Sequence, residues 1–435
     1  MISKEKEQEL TAVLEQFYKE VEIKAKETGH PKFAEQFKRS YGDTLKRTMA
    51  ENPDGTVHVI TGDIPAMWLR DSTAQVRPYL YLAARSRKLQ ELIGGVVQRQ
   101  FFYLLMDPYA NAFNNEPSGA CWEKDFDDQN PWVWERKFEV DSLCYPIQLA
   151  WLVWKNTGYT AHLDENFRKG AQKILEVFRR EQNHEERSEY RFVRKGSFFT
   201  DTLSREGKGT LTRPETGLIW SGFRPSDDAC TYGYLIPSNM FAVVALGYLS
   251  ELAQEVLNDG KLAESALNLR KEVHKAIEKY GHTKTEEFGE VYAYETDGYG
   301  MYHLIDDANV PSLLSMEYLG YPADRELAEN TRNMILSEAN PYYYKGKAAK
   351  GIGSPHTPAN YIWHIGMAME GLTSDRRTVK ESVLEKMIET TGGTGLMHEG
   401  FHADDPSRYT REWFSWANAM YCELFLDYLG YKIIS

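Results

Sequence analysis

The sequence predicts an all-α fold in which helical hairpins are arranged around a common centre. Helical periodicity recurs along all 435 residues, and strand-like alternation is confined to short pieces at 56–61 and 190–193. Helices that are apolar on every side alternate with helices that have one apolar face, as expected of inner and outer layers. Because no fixed-period repeat of the solenoid kind is present, a closed α/α barrel is favoured over an open solenoid.

The two kinds of helix follow one another along the chain. Residues 143–154 (LCYPIQLAWLVW) and 240–249 (MFAVVALGYL) are apolar nearly all round, so both segments are predicted to be buried. Each is followed by a charged helix with one apolar face, over 161–182 and 260–281. The full set of predicted helices is 5–27, 33–50, 72–86, 88–106, 141–157, 161–182, 235–257, 260–281, 311–319, 324–338, 357–372, 376–391 and 411–429.

The chain is expected to be a single soluble domain, although its length alone would allow two or three. No low-complexity linker divides the chain, so residues 1–435 are expected to form one domain with its own core. Lys and Arg number 51 and Asp and Glu 64, and the resulting net charge of −13 argues against binding to nucleic acid or to an anionic membrane. The charged N-terminus lacks the apolar region of a signal peptide, and no CxxC pair is present. We therefore expect a cytoplasmic monomer with reduced cysteines.

Long connections carry the residues that indicate function. Five segments between predicted helices, 107–140, 183–234, 282–310, 339–356 and 392–410, exceed the usual loop length and mix acidic residues with Trp, Tyr, Asn and Gly. Inner helices would bring these loops to one mouth of the barrel. The sequence therefore predicts a polar cleft with aromatic walls.

The segment 68–72 (WLRDS) has two interpretations. Asp71 or Ser72 could be the N-cap of the helix that follows, accepting backbone N–H bonds. Alternatively, Arg70 and Asp71 form a fork for vicinal hydroxyls, in which the carboxylate accepts O–H donors and the guanidinium fixes its orientation. The sequence does not decide between them.

The segment 224–228 (RPSDD) places two adjacent carboxylates in a loop before a buried helix. Adjacent carboxylates are commonly solvated loop charges. Here they lie between aromatic residues, and a carboxyl beside apolar rings loses solvation, which raises its pKa and suits a general acid. This second interpretation is favoured.

The segment 398–402 (HEGFH) matches the HExxH pattern of zinc hydrolases. That chemistry requires a helix, so that both histidines share one face. Glycines precede the segment and Gly400 lies inside it, so it is predicted to be a loop. Glu399 nevertheless remains a candidate catalytic carboxylate. Two carboxylates from distant loops, in a cleft with aromatic walls, are what glycoside hydrolysis requires.

Three motifs give the chain its family resemblance. Residues 62–72 (GDIPAMWLRDS), 221–228 (SGFRPSDD) and 398–401 (HEGF) resemble glycoside hydrolase family 125, and the resemblance extends over essentially the whole chain. It implies an (α/α)6 barrel and a bacterial exo-acting α-mannosidase that favours α-1,6 linkages, inverts the anomeric centre and uses no metal or other cofactor. Two alternatives stay open: an HExxH zinc hydrolase, and an epimerase or glucan hydrolase on the same barrel.

The resemblance also implies roles for individual residues. The general acid is an aspartate of the 224–228 loop, with Asp227 preferred and Asp228 as the alternative, and Glu399 is the general base that activates water. Arg70 and Asp71 are expected to hold hydroxyls of the terminal mannose. Further substrate contacts are assigned to Trp68, Arg224, His356, His398 and Trp413.

Overall fold

The computed structural model describes residues 4–125, 128–196 and 198–435, and helices dominate the fold. The helices are α1 Lys4–Glu27, α2 Pro31–Asp43, α3 Leu69–Val76, α4 Leu80–Ala83, α5 Arg87–Met106, α6 Val140–Thr157, α7 Glu165–Glu181, α8 His184–Arg187, α9 Ser204–Gly207, α10 Ile236–Glu255, α11 Gly260–Tyr280, α12 Met316–Leu319, α13 Arg325–Ile335, α14 His364–Leu372, α15 Arg377–Glu389 and α16 Ser415–Tyr428.

Short strands add to the helices, so the prediction of a purely α fold is corrected. They are β1 Met49–Glu51, β2 Val57–Val59, β3 Met67–Trp68, β4 Ala112–Phe113, β5 Val133–Glu135, β6 Tyr234–Leu235, β7 His282–Thr285, β8 Gly289–Tyr292, β9 Glu295–Thr296, β10 Tyr302–His303, β11 Tyr343–Lys345, β12 Lys350–Ile352, β13 Tyr361–Trp363, β14 Gly400–His402 and β15 Asp405–Thr410. They pair in antiparallel sheets of two or three strands. Of the two predicted strand-like pieces, 56–61 contains β2, whereas 190–193 is irregular.

Most predicted helices are confirmed to within a few residues. The predicted helix 311–319 is confirmed only over Met316–Leu319, and three others differ for local reasons. The predicted helix 33–50 ends at Asp43 and continues as a π-helical turn into β1. The predicted helix 72–86 begins earlier and is interrupted by a 3₁₀ turn at Arg77–Tyr79, where Pro78 lacks an N–H donor. The predicted helix 357–372 begins only at His364, because the residues before it pair with β14.

The two predicted kinds of helix are confirmed. Inner helices α6 and α10 are buried over most of their length and pack against each other, whereas α7 and α11 bury one face. In the described residues, α10 alone has the length and hydropathy of a membrane-spanning helix, but 78% of that segment is buried inside the protein. The four cysteines are free thiols.

Short sheets bring the connecting loops to the N-terminal ends of the inner helices. Strands β3, β6 and β13 run directly into α3, α10 and α14. β3 pairs with β4, β6 with β9, and β13 with β14. Loops that are distant in sequence are thereby fixed at the starts of neighbouring helices.

Candidate active site

A cavity of about 1150 Å³ lies where these loops meet. Its wall combines carboxylates, cations and aromatic rings from distant parts of the chain. The lining residues include Trp68, Arg70, Asp71, Trp134, Arg224, Asp227, Asp228, His356, Trp363, Glu399, Arg411, Phe414 and Trp416.

The buried Arg70 guanidinium organises the carboxylates of this cavity. Its Nη1 lies 2.6 Å from Glu139 Oε2 and 3.2 Å from Asp141 Oδ2, and its Nη2 lies 3.4 Å from Asp227 Oδ1. Its Nε lies 3.6 Å from Asp71 Oδ2. Arg70 thus fixes carboxylate positions, and its Nη atoms are already engaged by other side chains.

Asp71 is not a helix cap. The N-cap of α3 is Trp68, without a side-chain cap bond, and Ser72 Oγ donates to the Leu69 carbonyl instead. Burial raises the pKa of Asp71 to about 6, although Arg70 and Arg411 oppose the shift. Asp71 is therefore a buried carboxyl on the cavity wall, as the hydroxyl-fork interpretation requires.

A tight turn carries Asp227 and Asp228 into the cavity. The Asp227 N–H donates to the Arg224 carbonyl, the Arg224 N–H donates to the Asp228 carbonyl, and Asp227 has a φ of +67°. Aspartate tolerates this left-handed conformation better than most residues, and such strain is common at functional sites. The Arg224 side chain is held by Glu295, with Nε 2.6 Å from Oε1.

The two carboxylates of this turn have different surroundings. The Asp227 side chain is 25% exposed, and its Oδ1 also accepts a hydrogen bond of 3.2 Å from Asn111 Nδ2. The Asp228 side chain is 6% exposed, and its Oδ1 lies 3.0 Å from His356 Nδ1. Asp227 is therefore the more open of the two carboxyls.

Charges around the turn set the protonation of Asp227 and of the neighbouring His356. Burial favours a neutral Asp227, but the Arg70 and Lys137 cations outweigh it and hold the pKa of Asp227 below its ordinary value. Burial also opposes charge on His356, yet the hydrogen bond to Asp228 and the charge of that carboxylate raise the pKa of His356 to about 9.

Glu399 enters the cavity directly before β14. The Gly400 N–H donates to Thr410 Oγ1, and β14 is paired on both sides, with β13 and β15. Arg411 Nη1 lies 3.8 Å from Glu399 Oε1, and the same guanidinium is paired with Asp63. Glu399 is therefore held directly before a paired strand, beside a cation.

The HEGFH segment lacks the helix that zinc hydrolase chemistry needs. The prediction of a loop is corrected in part, because Gly400–His402 is a strand. Among the described residues, the side chains close enough together to hold a metal are His30, Glu381 and Glu385, which are outside the cavity. The segment thus matches the HExxH pattern in sequence but not in its helical geometry.

Two predicted substrate contacts, His398 and Trp413, do not reach the cavity. His398 is fully buried, stacks on Tyr409, and has its ring nitrogens beside the carbonyls of Thr391 and Arg411. The Trp413 indole N–H donates to Asp43, and the Arg47 guanidinium covers its ring. Phe414 and Trp416 line the cavity instead.

Several site residues were missed because their partners are distant in sequence. Glu139 and Asp141 flank the start of α6, and no local pattern indicates that they meet Arg70. The two acidic residues at the start of an apolar helix were the available signal. No sequence pattern indicates Arg411 or Lys137, because each contacts the site only when the loops are folded together.

Comparisons with known proteins identify the family of the chain. The family model described as metal-independent alpha-mannosidase (GH125) matches residues 30–426. The "Meiotically up-regulated gene 157 protein" of Schizosaccharomyces pombe is 38% identical over 407 residues, which are 89% of this chain and 80% of that protein. A solved metal-independent α-mannosidase from Streptococcus pneumoniae, in a non-productive complex with α-1,6-mannobiose, is 47% identical with a TM-score of 0.94, over 99% of both chains. A bacterial glucoamylase complexed with acarbose shares the fold alone, with 11% identity and a TM-score of 0.55 over 85% of this chain and 49% of that one.

Proposed function

The chain belongs to the metal-independent α-mannosidases of glycoside hydrolase family 125, and we propose that it is an inverting exo-α-1,6-mannosidase. In this proposal it releases terminal mannose from α-1,6-linked manno-oligosaccharides or N-glycans. The solved relative at 47% identity was captured with α-1,6-mannobiose, which supports this choice of linkage.

The observation that carries the proposal is the meeting of Asp227 and Glu399 in one cavity. They are 172 positions apart in sequence, on loops anchored to different inner helices, and both line the cavity together with aromatic rings. A pair of carboxyls on either side of the scissile bond is the requirement of glycoside hydrolysis.

The reaction is a single displacement. Asp227 donates its proton to the glycosidic oxygen as the bond from that oxygen to the anomeric carbon breaks. Glu399 takes a proton from a water molecule, whose oxygen forms the new bond to the opposite face of the carbon. One displacement inverts the anomeric centre and needs the carboxyls roughly 6.5–9.5 Å apart, which leaves room for the water.

Asp227 is preferred as the acid over Asp228. Its carboxyl is the more exposed of the two, and so can reach the glycosidic oxygen, whereas Asp228 is held by His356. Arg70 and Lys137 favour ionised Asp227 in the free enzyme. A bound sugar removes the remaining water from this carboxyl and so favours its protonated form.

The sugar that reacts is held by Asp71. Its carboxyl accepts hydrogen bonds from hydroxyls of the terminal mannose, and Arg70 orients it through Nε. Trp68 supplies an apolar wall, and Arg224 and His356 add polar contacts from the facing loops.

We also propose that the helices close into an (α/α)6 barrel. Contacts between inner helices support this arrangement: α3 packs against α6 and α16, α6 against α10, α10 against α12, and α14 against α16. The outer helices α5, α7, α11, α13 and α15 alternate with them along the chain. We likewise propose a cytoplasmic location and a monomeric state.

Hydrolysis of a panel of mannobioses tests the proposed function. The enzyme is incubated with the α-1,6-, α-1,3- and α-1,2-linked disaccharides and with an α-1,6-linked glucose disaccharide, and free sugar is quantified. We expect mannose from the α-1,6-mannobiose at the highest kcat/KM. Cleavage of the glucose disaccharide with no cleavage of any mannobiose would contradict the proposal.

A further inference from the structure

Three aromatic side chains project into solvent at the mouth of the cavity. Trp122, Phe198 and Phe199 are 69%, 83% and 88% exposed, which makes them the most exposed large apolar side chains in the described part of the chain. All three line the catalytic cavity. We call them the aromatic rim. Exposed apolar groups that are clustered beside a site, rather than scattered singly, indicate a binding surface.

A buried cation joins the two loops that carry the rim. Arg194 is 2% exposed, and its Nε and Nη2 lie 2.8 Å and 3.0 Å from the two oxygens of Asp125, three residues after Trp122. Its Nη1 lies 2.9 Å from Asp201 Oδ2, two residues after Phe199. A buried cation must be paired with acidic groups. Because Arg194 pairs with a carboxylate of each loop, it holds the two loops together at the rim.

A second cation connects the rim to the proposed acid. Lys137 Nζ lies 2.6 Å from Asp201 Oδ1 and donates a hydrogen bond of 2.7 Å to the Asp227 carbonyl. The Ala229 N–H also donates to the Thr200 carbonyl at 2.7 Å. Glu399, in contrast, is joined through Arg411 to Asp63. Through these contacts of the described residues, the rim is therefore attached to the proposed acid.

The general acid lies on the leaving-group side of the scissile glycosidic bond. A general acid must face the glycosidic oxygen, so the departing sugars extend past Asp227, whereas the attacking water is on the side of Glu399. A surface attached to Asp227 and open to solvent lies along the path of those departing sugars.

We propose that the aromatic rim is a distal subsite that stacks on the third sugar of the substrate, counted from the terminal mannose. The flat apolar face of a pyranose matches an aromatic ring, so this chemistry recognises a manno-oligosaccharide of three or more sugars. This inference rests on the proposed α-1,6-mannosidase function and adds a preference for chain length.

The ratio of kcat/KM for linear α-1,6-mannotriose to kcat/KM for α-1,6-mannobiose tests the rim. We expect a wild-type ratio of about two to ten, the factor that one aromatic stacking contact supplies. The double variant Phe198→Ala/Phe199→Ala and the single variant Trp122→Ala should each lower the ratio toward one. Phe198→Tyr/Phe199→Tyr should keep the wild-type ratio, because the ring face is retained.

Tyr299→Ala is the matched control, since Tyr299 is an aromatic residue that is 58% exposed and outside the cavity lining. It should keep the wild-type ratio. A wild-type ratio of one, an unchanged ratio in the rim variants, or an equal loss on both substrates would each overturn the distal subsite. Absence of wild-type cleavage of mannobiose would instead reject the proposed function itself.

Discussion

At the scale of single residues, one buried cation determines the arrangement of the site. Arg70 contacts the carboxylates of Glu139, Asp141 and Asp227, and its Nε lies near Asp71. Burial raises the pKa of Glu139 well above its ordinary value, although Arg70 opposes this, and the charge of Asp227 adds to it. Carboxyls that share one cation in a buried site cannot all ionise freely, which is how their roles can be separated.

Substitution of Asp227 should show a dependence on the leaving group. Asp227→Ala should nearly abolish cleavage of mannobiose, whose leaving alkoxide needs a proton, and spare much more activity on an aryl mannoside whose phenol departs readily. Glu399→Ala should impair both substrates, because water activation is needed in either case. Steady-state kinetics on the two substrates measure this. If Asp228→Ala shows the dependence and Asp227→Ala does not, the two aspartates exchange roles.

Substitution of Asp71 should impair catalysis without unfolding the protein. Hydrogen bonds to a charged group contribute about 1.5–3 kcal/mol, so Asp71→Ala should lower kcat/KM by about 10- to 100-fold for each sugar hydroxyl that it binds. Asp71 is not a helix cap, so Asp71→Ala should not lower the melting temperature through the loss of a cap. Kinetics together with a thermal melt check both parts. A folded variant with near-normal kinetics would show that Asp71 has no role in substrate binding.

His356 should make stability depend on pH. Its pKa rises from about 6.5 in the unfolded chain to about 9 in the folded protein. A raised pKa means that the folded state binds the proton more tightly. The stabilisation by protonated His356 is therefore complete below about pH 6.5 and is lost as the pH rises through 9.

The measurement is Tm against pH for wild type and His356→Gln. The difference between them should be greatest below pH 6.5 and should shrink as the pH rises through 9. Asp228→Asn, which removes the charge opposite the imidazole, should reduce the same difference. A constant difference across this range would contradict the Asp228–His356 ion pair.

At the scale of elements, periodicity predicts the long helices and fails where pairing is non-local. The apolar run of α10 and the one-sided pattern of α11 are local properties, so both helices could be predicted from the sequence. The strand β13 depends on β14, which lies far along the chain, and no local pattern contains that pairing. The predicted helix at 357–372 was too long for this reason.

Proximity in sequence was also a poor guide to the cavity wall. Trp413 and Phe414 are adjacent, but successive side chains of extended backbone point to opposite faces, so only Phe414 lines the cavity. Asp71, Asp227 and Glu399 could be predicted because their motifs are long and specific. Glu139 and Lys137 could not, because their roles come from contacts with other loops.

The strand conformation at β14 predicts that chelators have no effect. His398 is turned into the core and His402 starts a bulge, so they cannot present nitrogens from one helical face. Activity on α-1,6-mannobiose should be fully retained after dialysis against EDTA. Loss of activity in EDTA and its restoration by zinc would contradict this, and a stoichiometric zinc ion bound by His398 and His402 would identify the site.

At the scale of the whole molecule, the inner helices position the loops, and the loops carry the polar residues of the cavity. Each loop that carries a proposed catalytic carboxyl is attached to an inner helix or to the strand before it, so carboxyls distant in sequence face one cavity. The proposed acid Asp227 is joined to Arg70, Lys137 and the aromatic rim, and the proposed base Glu399 lies beside Arg411. The cations that hold the proposed acid are thus different from the cation beside the proposed base.

The most direct test of the inverting mechanism is the configuration of the first product. Proton NMR of mannose released from α-1,6-mannobiose, recorded before the anomers equilibrate, distinguishes one displacement from two. Asp227 as acid and Glu399 as base with an intervening water predict that β-mannose appears first. Initial α-mannose would mean that a carboxylate attacks the sugar directly, and would contradict the proposed mechanism.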